Sequence, residues 1–285
     1  MLTEDKTFKL GKKTIIMGIL NVTPDSFSDG GEFDSVDKAV KFAKQMVADG
    51  ADIIDIGGES SRPGAVSVSL KEEMNRVIPV IEEIAGKIKV PISIDTYKSE
   101  IARKALDFGV DMVNDITALQ GDKKLANIIA QYDVPICLMH MKGNPLNMQK
   151  NPDYDDIILE IKSFLKERAE YAMLNDIKEE NIIIDPGIGF GKRTGRGVED
   201  NCVILNRLSE LKSLGYPILV GPSRKTFIGN VCGGEKQLPS EERLEGSLAA
   251  AVVAALNGAN ILRVHDVKET RKCITLIEFI MGRKK

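Results

Sequence analysis

Six polar residues spread along this chain have the types that, brought together, could do chemistry: Asp95, Asn114, Asp185, Lys225, Arg263 and His265. Two carboxylates and an amide suit a flat nitrogen heterocycle. A ring N–H and an exocyclic amine can donate together to one carboxylate, and a ring carbonyl oxygen takes a cation such as Lys225. Arg263 and His265 suit an anion. A seventh residue, Asn21, ends the apolar run 14–20 and opens a polar stretch that reads, over residues 18–31, GILNVTPDSFSDGG. Pro24, Gly30 and Gly31 punctuate it, while Asn21, Thr23, Asp25, Ser26, Ser28 and Asp29 supply side-chain oxygens. Such a loop at a strand end carries function or is a solvated turn, and composition alone does not separate the two.

Short apolar, β-branched runs recur at 14–20, 51–56, 90–94, 111–113, 134–139, 181–184, 216–220 and 260–264. Most are apolar throughout, which predicts parallel strands covered on both faces. Helical periodicity fills the gaps. Ala39, Val40, Ala43, Met46 and Val47 share one face over 37–48; Ser69 and Glu72 form a capping-box pattern before Met74, Val77, Ile78, Ile81 and Ile84. Pro79 predicts a kink there rather than a stop, and Gly109 ends the next stripe, Ile101, Ala102, Ala105 and Leu106. Later helices are predicted over 125–131, 155–173, 201–214, 241–257 and 268–281. About eight strand–helix units in one domain, 1–285, predict an α/β fold, a single (β/α)8 TIM barrel. A doubly wound sheet would carry fewer strands and a Gly-rich first turn opening straight into a helix, unlike residues 22–31.

A barrel places its active site at the C-terminal strand ends. In this chain nearly every such end carries chemistry: Asn21; Asp55 to Glu59; Asp95; Asn114 and Asp115; Met139 and His140; Asp185 to Gly187; Gly221 to Lys225; Arg263 to Asp266. The N-terminal ends show no comparable cluster. Duller roles fit some of these residues. Asp115 and Asp266 read as turn formers or helix caps, His140 as a structural side chain, and Asp55 as a partner of a neighbouring strand. The glycines of GIGFGKRTG (187–195) hint at phosphate binding without the helix register that it needs. Arg283, Lys284 and Lys285 read as a solvated tail. Carboxylates from the middle strands and cations from the last two predict a deep acidic floor with a basic rim.

At 285 residues and 43% hydrophobic, the chain can bury a large core. A net charge of -3 gives no electrostatic case for nucleic acid or an anionic membrane. The first residues lack the apolar core of a signal peptide, and the run 248–256 is too short to span a bilayer, so the expectation is a soluble, cytoplasmic protein. Cys137, Cys202, Cys232 and Cys273 are scattered, as reduced thiols would be.

The segments quoted, taken in order, resemble the dihydropteroate synthase family. They are NVTPDSFSD from Asn21, GGESSRPG from Gly57, SIDT from Ser93, VNDI from Val113, LMHMKG from Leu138, DPGIGFGK from Asp185, GPSRKTFIG from Gly221 and LRVHDV from Leu262. Ser61 stands where the family usually has Thr, and the hydroxyl is retained. The resemblance implies a transferase of folate biosynthesis, which joins 6-hydroxymethyl-7,8-dihydropterin diphosphate to p-aminobenzoate with loss of pyrophosphate. It further implies that Asp95, Asn114, Asp185 and Lys225 hold the pterin, with Met139 and Phe190 packed near it and Arg263 over its face. Asn21, Ser61, Arg263 and His265 would hold the pyrophosphate, with Mg²⁺ on Asn21. Phe27, Ser61, Arg62, Pro63, Ser223 and Lys225 would shape the p-aminobenzoate site. Asp29, by resemblance and charge, would stabilise a developing pterin cation alongside catalytic Lys225, Arg263 and His265. A homodimer is the family's common state. The competing activities are a pterin-dependent corrinoid methyltransferase, a Schiff-base aldolase using Lys225 and a non-catalytic pterin binder. The anion-binding segments at Asn21, Ser223 to Lys225 and Arg263 to His265 argue against the methyltransferase.

Overall fold

The computed structural model describes residues 13–23, 32–62, 64–195 and 199–282. Eight parallel strands form one sheet: β1 (Ile15–Asn21), β2 (Ile53–Gly57), β3 (Ile92–Asp95), β4 (Met112–Asp115), β5 (Ile136–Met139), β6 (Ile182–Asp185), β7 (Leu219–Val220) and β8 (Ile261–Val264). Their spatial order is β6-β5-β4-β3-β2-β1-β8-β7, and a parallel bridge between Ile184 and Ile218 brings the two ends together. The result is the expected (β/α)8 barrel.

The helices are α1 (Glu32–Ala48), α2 (Leu70–Ile84), α3 (Ser99–Asp107), α4 (Lys124–Tyr132), α5 (Ile157–Leu174), α6 (Asp200–Asn206), α7 (Thr226–Cys232), α8 (Leu244–Asn257) and α9 (Val267–Ile280). Ser69 caps α2 by accepting from the Glu72 N–H at 3.2 Å, and the helix runs through Pro79 without stopping. Two expected helices are shorter than their periodicity suggests. The one over 201–214 is α6 followed by a 3-10 turn, because the Asn257 amide takes the Leu205 carbonyl at 2.7 Å and so closes α6 from outside. The one over 241–257 begins only at Leu244; before it, the Arg243 guanidinium turns back to the Leu238 and Arg224 carbonyls. The seven-residue α7 was not expected. Among the described residues no helix is long and apolar enough to cross a membrane.

Strand alternation divides the core. Ile16, Ile54, Ile56, Ile92, Ile94, Val113 and Leu138 face outward into a continuous layer with the helices. Ile15, Met17, Ile53, Met112, Cys137, Ile183, Leu219 and Ile261 fill the barrel interior. This inner plug fixes the side on which the next residues of each strand must emerge.

Candidate active site

A period of two carries each interior side chain to another two residues further on. From Ile53, Met112, Cys137, Ile183 and Ile261 it leads to Asp55, Asn114, Met139, Asp185 and Arg263. From Ser93 it leads to Asp95. Register then sets neighbours: Asp95 pairs with Asn114 and with Gly57, and Met139 with Asp185. The apolar plug thus ends in a polar layer contributed by β2, β3, β4, β6 and β8, with Met139 of β5 beside it.

Arg263 joins this layer. Its Nε donates to Asp55 Oδ2 at 2.6 Å and its terminal nitrogen to Asp95 Oδ2 at 2.6 Å. Asn114 Nδ2 donates to the same Asp55 oxygen at 3.1 Å. Asp55 therefore reaches across the barrel interior to β4 and β8, rather than to an adjacent strand as expected. The expected separation of acidic floor from basic rim is also absent, because the Arg263 guanidinium sits between two floor carboxylates. Asp185 Oδ1 accepts from the Gly187 N–H at 2.7 Å.

Burial dominates the electrostatics. It pushes the Asp95 carboxyl up to about 7, with Arg263 pulling the other way and Asp55 adding to the rise. Asp185 is lifted to about 6 by burial, against the Gly187 N–H and the positive charge of Lys225. Burial and then Arg263 bring the Lys225 amine down to about 8, opposed by Asp185 and Asp95. Arg263 moves the other way: burial disfavours its charge, but the Asp55 and Asp95 carboxylates outweigh that and raise its pKa.

The rim is built from strand ends and loops. The Lys225 amine lies 4.1 Å from the centre of the Phe190 ring. Phe190 packs with Ile116, Met139 and Met148 in a small apolar cluster. Ser223 Oγ takes the His265 backbone N–H at 3.2 Å and lies 3.1 Å from His265 Nδ1. Burial, then Arg263 and Arg224, hold His265 down to about 3, so its ring is neutral at pH 7. In the tautomer where the Ser223 hydroxyl donates to Nδ1, the proton sits on Nε2, which leaves an N–H donor for an anion. Asn21 is the last residue of β1, paired with Gly57. Ser61 and Arg62 lie on the loop after β2, whose Gly64 N–H rests on the Pro145 carbonyl at 2.9 Å. The Arg62 charge is near enough to lower the Lys225 pKa. Beside the polar layer, a cavity of about 550 Å³ lies among the loops after β2 to β5, with Met139 in its wall. Phe27, Asp29 and Pro63 fall outside the described residues.

Several sequence features resolve differently. The glycines of 187–195 serve close packing: a Cβ on Gly187 (φ 70°) would lie 1.9 Å from the His140 carbonyl oxygen, and one on Gly191 would lie 2.3 Å from that of Lys142. That packing encloses Lys192, a burial that the sequence does not predict. Its ammonium is fully buried and donates to the Gly187 and Phe190 carbonyls at 3.0 and 2.8 Å, with His140 Nδ1 at 3.0 Å. His140 is structural, as expected. Asp115 forms the expected turn, accepting from the Thr117 and Leu119 N–H groups. Asp266 starts α9 but makes no side-chain cap; it pairs with Arg224 instead. Among the described residues no group of three or more His, Cys, Asp or Glu could hold a metal ion. The Asn21 amide is a single hard oxygen donor, of the kind that would suit a Mg²⁺ carried in on a diphosphate.

Comparison with known proteins converges on the same chemistry. A family model described as pterin binding enzyme matches residues 17–265. Dihydropteroate synthase from Synechocystis sp. is 50% identical over 261 residues, covering 92% of this chain and 88% of its own length. The dihydropteroate synthase structure from Clostridium difficile, solved in the presence of pteroic acid, is 49% identical and superposes with a TM-score of 0.89 over 98% of this chain and 100% of that one. The Xanthomonas albilineans dihydropteroate synthase with 4-aminobenzoic acid is 43% identical, with a TM-score of 0.87 over 95% and 94% of the two chains. An end-to-end match at this identity, on a barrel whose mouth carries this polar layer, places the chain in the dihydropteroate synthase family of pterin-binding enzymes.

Proposed function

We propose that this chain condenses 6-hydroxymethyl-7,8-dihydropterin diphosphate with p-aminobenzoate, giving 7,8-dihydropteroate and pyrophosphate. The observation that carries the residue assignments is the buried layer of Asp95, Asn114, Asp185 and Arg263 with Lys225 beside it. Asp185 and Asn114 take the ring N–H and amine edge of the pterin, and Lys225 donates to its carbonyl oxygen. Arg263 lies against the ring face while neutralising Asp55 and Asp95, and Met139 and Phe190 supply apolar contact.

The carbon–oxygen bond to the diphosphate breaks first, and its electron pair leaves on oxygen. Arg263, the Nε2–H of neutral His265 and the Ser61 hydroxyl bind the departing charge. Asn21 would hold Mg²⁺, which supplies charge neutralisation to the diphosphate when bound. The methylene cation left behind is stabilised by the pterin ring and by nearby carboxylates, Asp29 among them. The aryl amine, neutral near pH 7, then attacks; the carbon–nitrogen bond forms and the amine loses one proton to solvent. Ser61, Arg62, Pro63, Ser223 and Phe27 form the amine's site, where Arg62 and Lys225 suit its carboxylate. A closed site also keeps water from trapping the cation.

Pyrophosphate release from the pterin diphosphate with Mg²⁺, measured with and without p-aminobenzoate, tests this. Release that depends on the amine, with dihydropteroate formed, supports the reading; tight pterin binding without release removes it. The same reading makes the protein a cytoplasmic homodimer. Exposed Val203, Val253 and Leu256 on α6 and α8 support a second copy on that side of the barrel, and light scattering of the purified protein checks it.

A further inference from the structure

The loop from Gly58 to Ser69 carries Ser61 and Arg62 at its tip, and its two stems meet at one nearly buried ammonium. Lys98 Nζ donates to Glu59 at 2.6 Å on the outgoing stem and to the Val68 carbonyl at 2.8 Å on the returning stem. Its third hydrogen bond goes to Glu73 in the first turn of α2. All three donors of the ammonium are thus used. The side chains of Lys98, Glu59 and Glu73 are 14%, 15% and 1% exposed, so these ion pairs escape most solvent screening. Glu59 also accepts from Ser67 Oγ at 3.2 Å and from the Val68 N–H at 3.3 Å, and Arg76 donates to the Gly58 carbonyl at 2.7 Å.

We propose that Lys98 is a positioning residue for the aryl amine: by tying Glu59 to Val68 it closes the neck of this loop and holds Ser61 and Arg62 over the barrel mouth. The assignment rests on the amine site proposed above. A loop whose ends are pinned loses most of its closure entropy before any ligand arrives, so the tip is preorganised. The pterin floor is held by other means. Asp95 is fixed by strand register and by the Thr96 N–H donating to the Asn114 carbonyl at 3.1 Å, neither of which involves Lys98.

The test is steady-state kinetics of amine-dependent pyrophosphate release by the full-length protein and two variants. In Lys98→Met the KM for p-aminobenzoate is expected to rise about tenfold or more, while kcat and the KM for pterin diphosphate stay within about twofold. Glu59→Gln leaves Lys98 on Glu73 and Thr96 undisturbed, so it is the variant that folds even if the first does not. It is expected to give a smaller rise of the same kind. A parallel rise in both KM values, or an unchanged amine KM in a folded variant, overturns the assignment. An unaltered protein without amine-dependent release removes the amine site itself and this assignment with it, a result distinguishable from a working enzyme whose variants show no split.

Discussion

The floor and the rim of this site are built on different principles. Asp55, Asp95, Asn114, Asp185 and Arg263 stand on strands, and their relative positions follow from β register above an apolar plug. Ser61, Arg62, Ser223 and His265 stand at loops and strand ends, and side-chain contacts place them: Ser223 on His265, Arg224 on Asp266, Lys98 across the loop neck. Removing Arg263 from this floor leaves two buried carboxylates, Asp55 and Asp95, without their ion pair. A rim of this kind can shift locally while the barrel stays folded. On the proposed assignment, stability and pterin recognition belong to one region, and handling of the leaving group and the amine to the other.

The largest effect should come from Arg263→Met. It removes the one cation among the described residues that is bonded to both Asp55 and Asp95, and breaking a buried pair of this kind costs about 3–5 kcal/mol. Turnover should fall by about a thousandfold or more, and the urea midpoint should fall with it. Lost activity with an unchanged midpoint would break the contrast between floor and rim. Asp185→Asn should be milder for the fold, because the amide oxygen can still accept from Gly187. It should weaken pterin binding by about 10- to 100-fold, the loss expected for a charge-assisted hydrogen bond, as titration calorimetry would show.

The floor also predicts a pH dependence. Asp95 near 7 and Asp185 near 6 are raised, so their ionised forms appear only as pH climbs through that range. Lys225 near 8 loses its charge above that. Pterin affinity should rise from pH 5 to 7, fall above 8, and lose part of its acidic limb in Asp185→Asn. The sign for stability is opposite. Raised carboxyl pKa values give a contribution that is full below about pH 4 and is lost as pH rises through 6 to 7, so the free protein should lose stability where ligand affinity grows. A flat affinity profile would show that these carboxyls do not meet the ligand.

The same contrast decides what the sequence discloses. Strand-end carboxylates are legible, because apolar runs locate the strands and chemistry concentrates at their C-terminal ends. Asp55 is harder to read. Ile53, Ile54 and Ile56 are all buried, so β2 hides its alternation, although a charge inside such a strand has only the barrel interior to face. Lys192 leaves no trace in sequence, since three of its four hydrogen-bond partners are backbone carbonyls shaped by the fold around it. The break after α6 depends on Asn257 of a distant helix, and α7 is too short to show periodicity. Long-range side-chain contacts, rather than local propensity, account for what the pattern misses.

The smallest effect, and the sharpest check on the rim, is Ser223→Ala. The hydroxyl touches His265 twice, at its backbone N–H and at Nδ1, and the ring is neutral. Removing the oxygen leaves the barrel register untouched but frees the ring to turn or to change tautomer, so on the proposed assignment Nε2–H loses its aim at the departing diphosphate. A neutral hydrogen bond of this kind is worth about 0.5–1.5 kcal/mol, or a roughly 2- to 10-fold fall in kcat. The KM for pterin diphosphate and the urea midpoint should hardly move. A midpoint that falls as far as in Arg263→Met would show that floor and rim are one cooperative structure, and that the division between them fails.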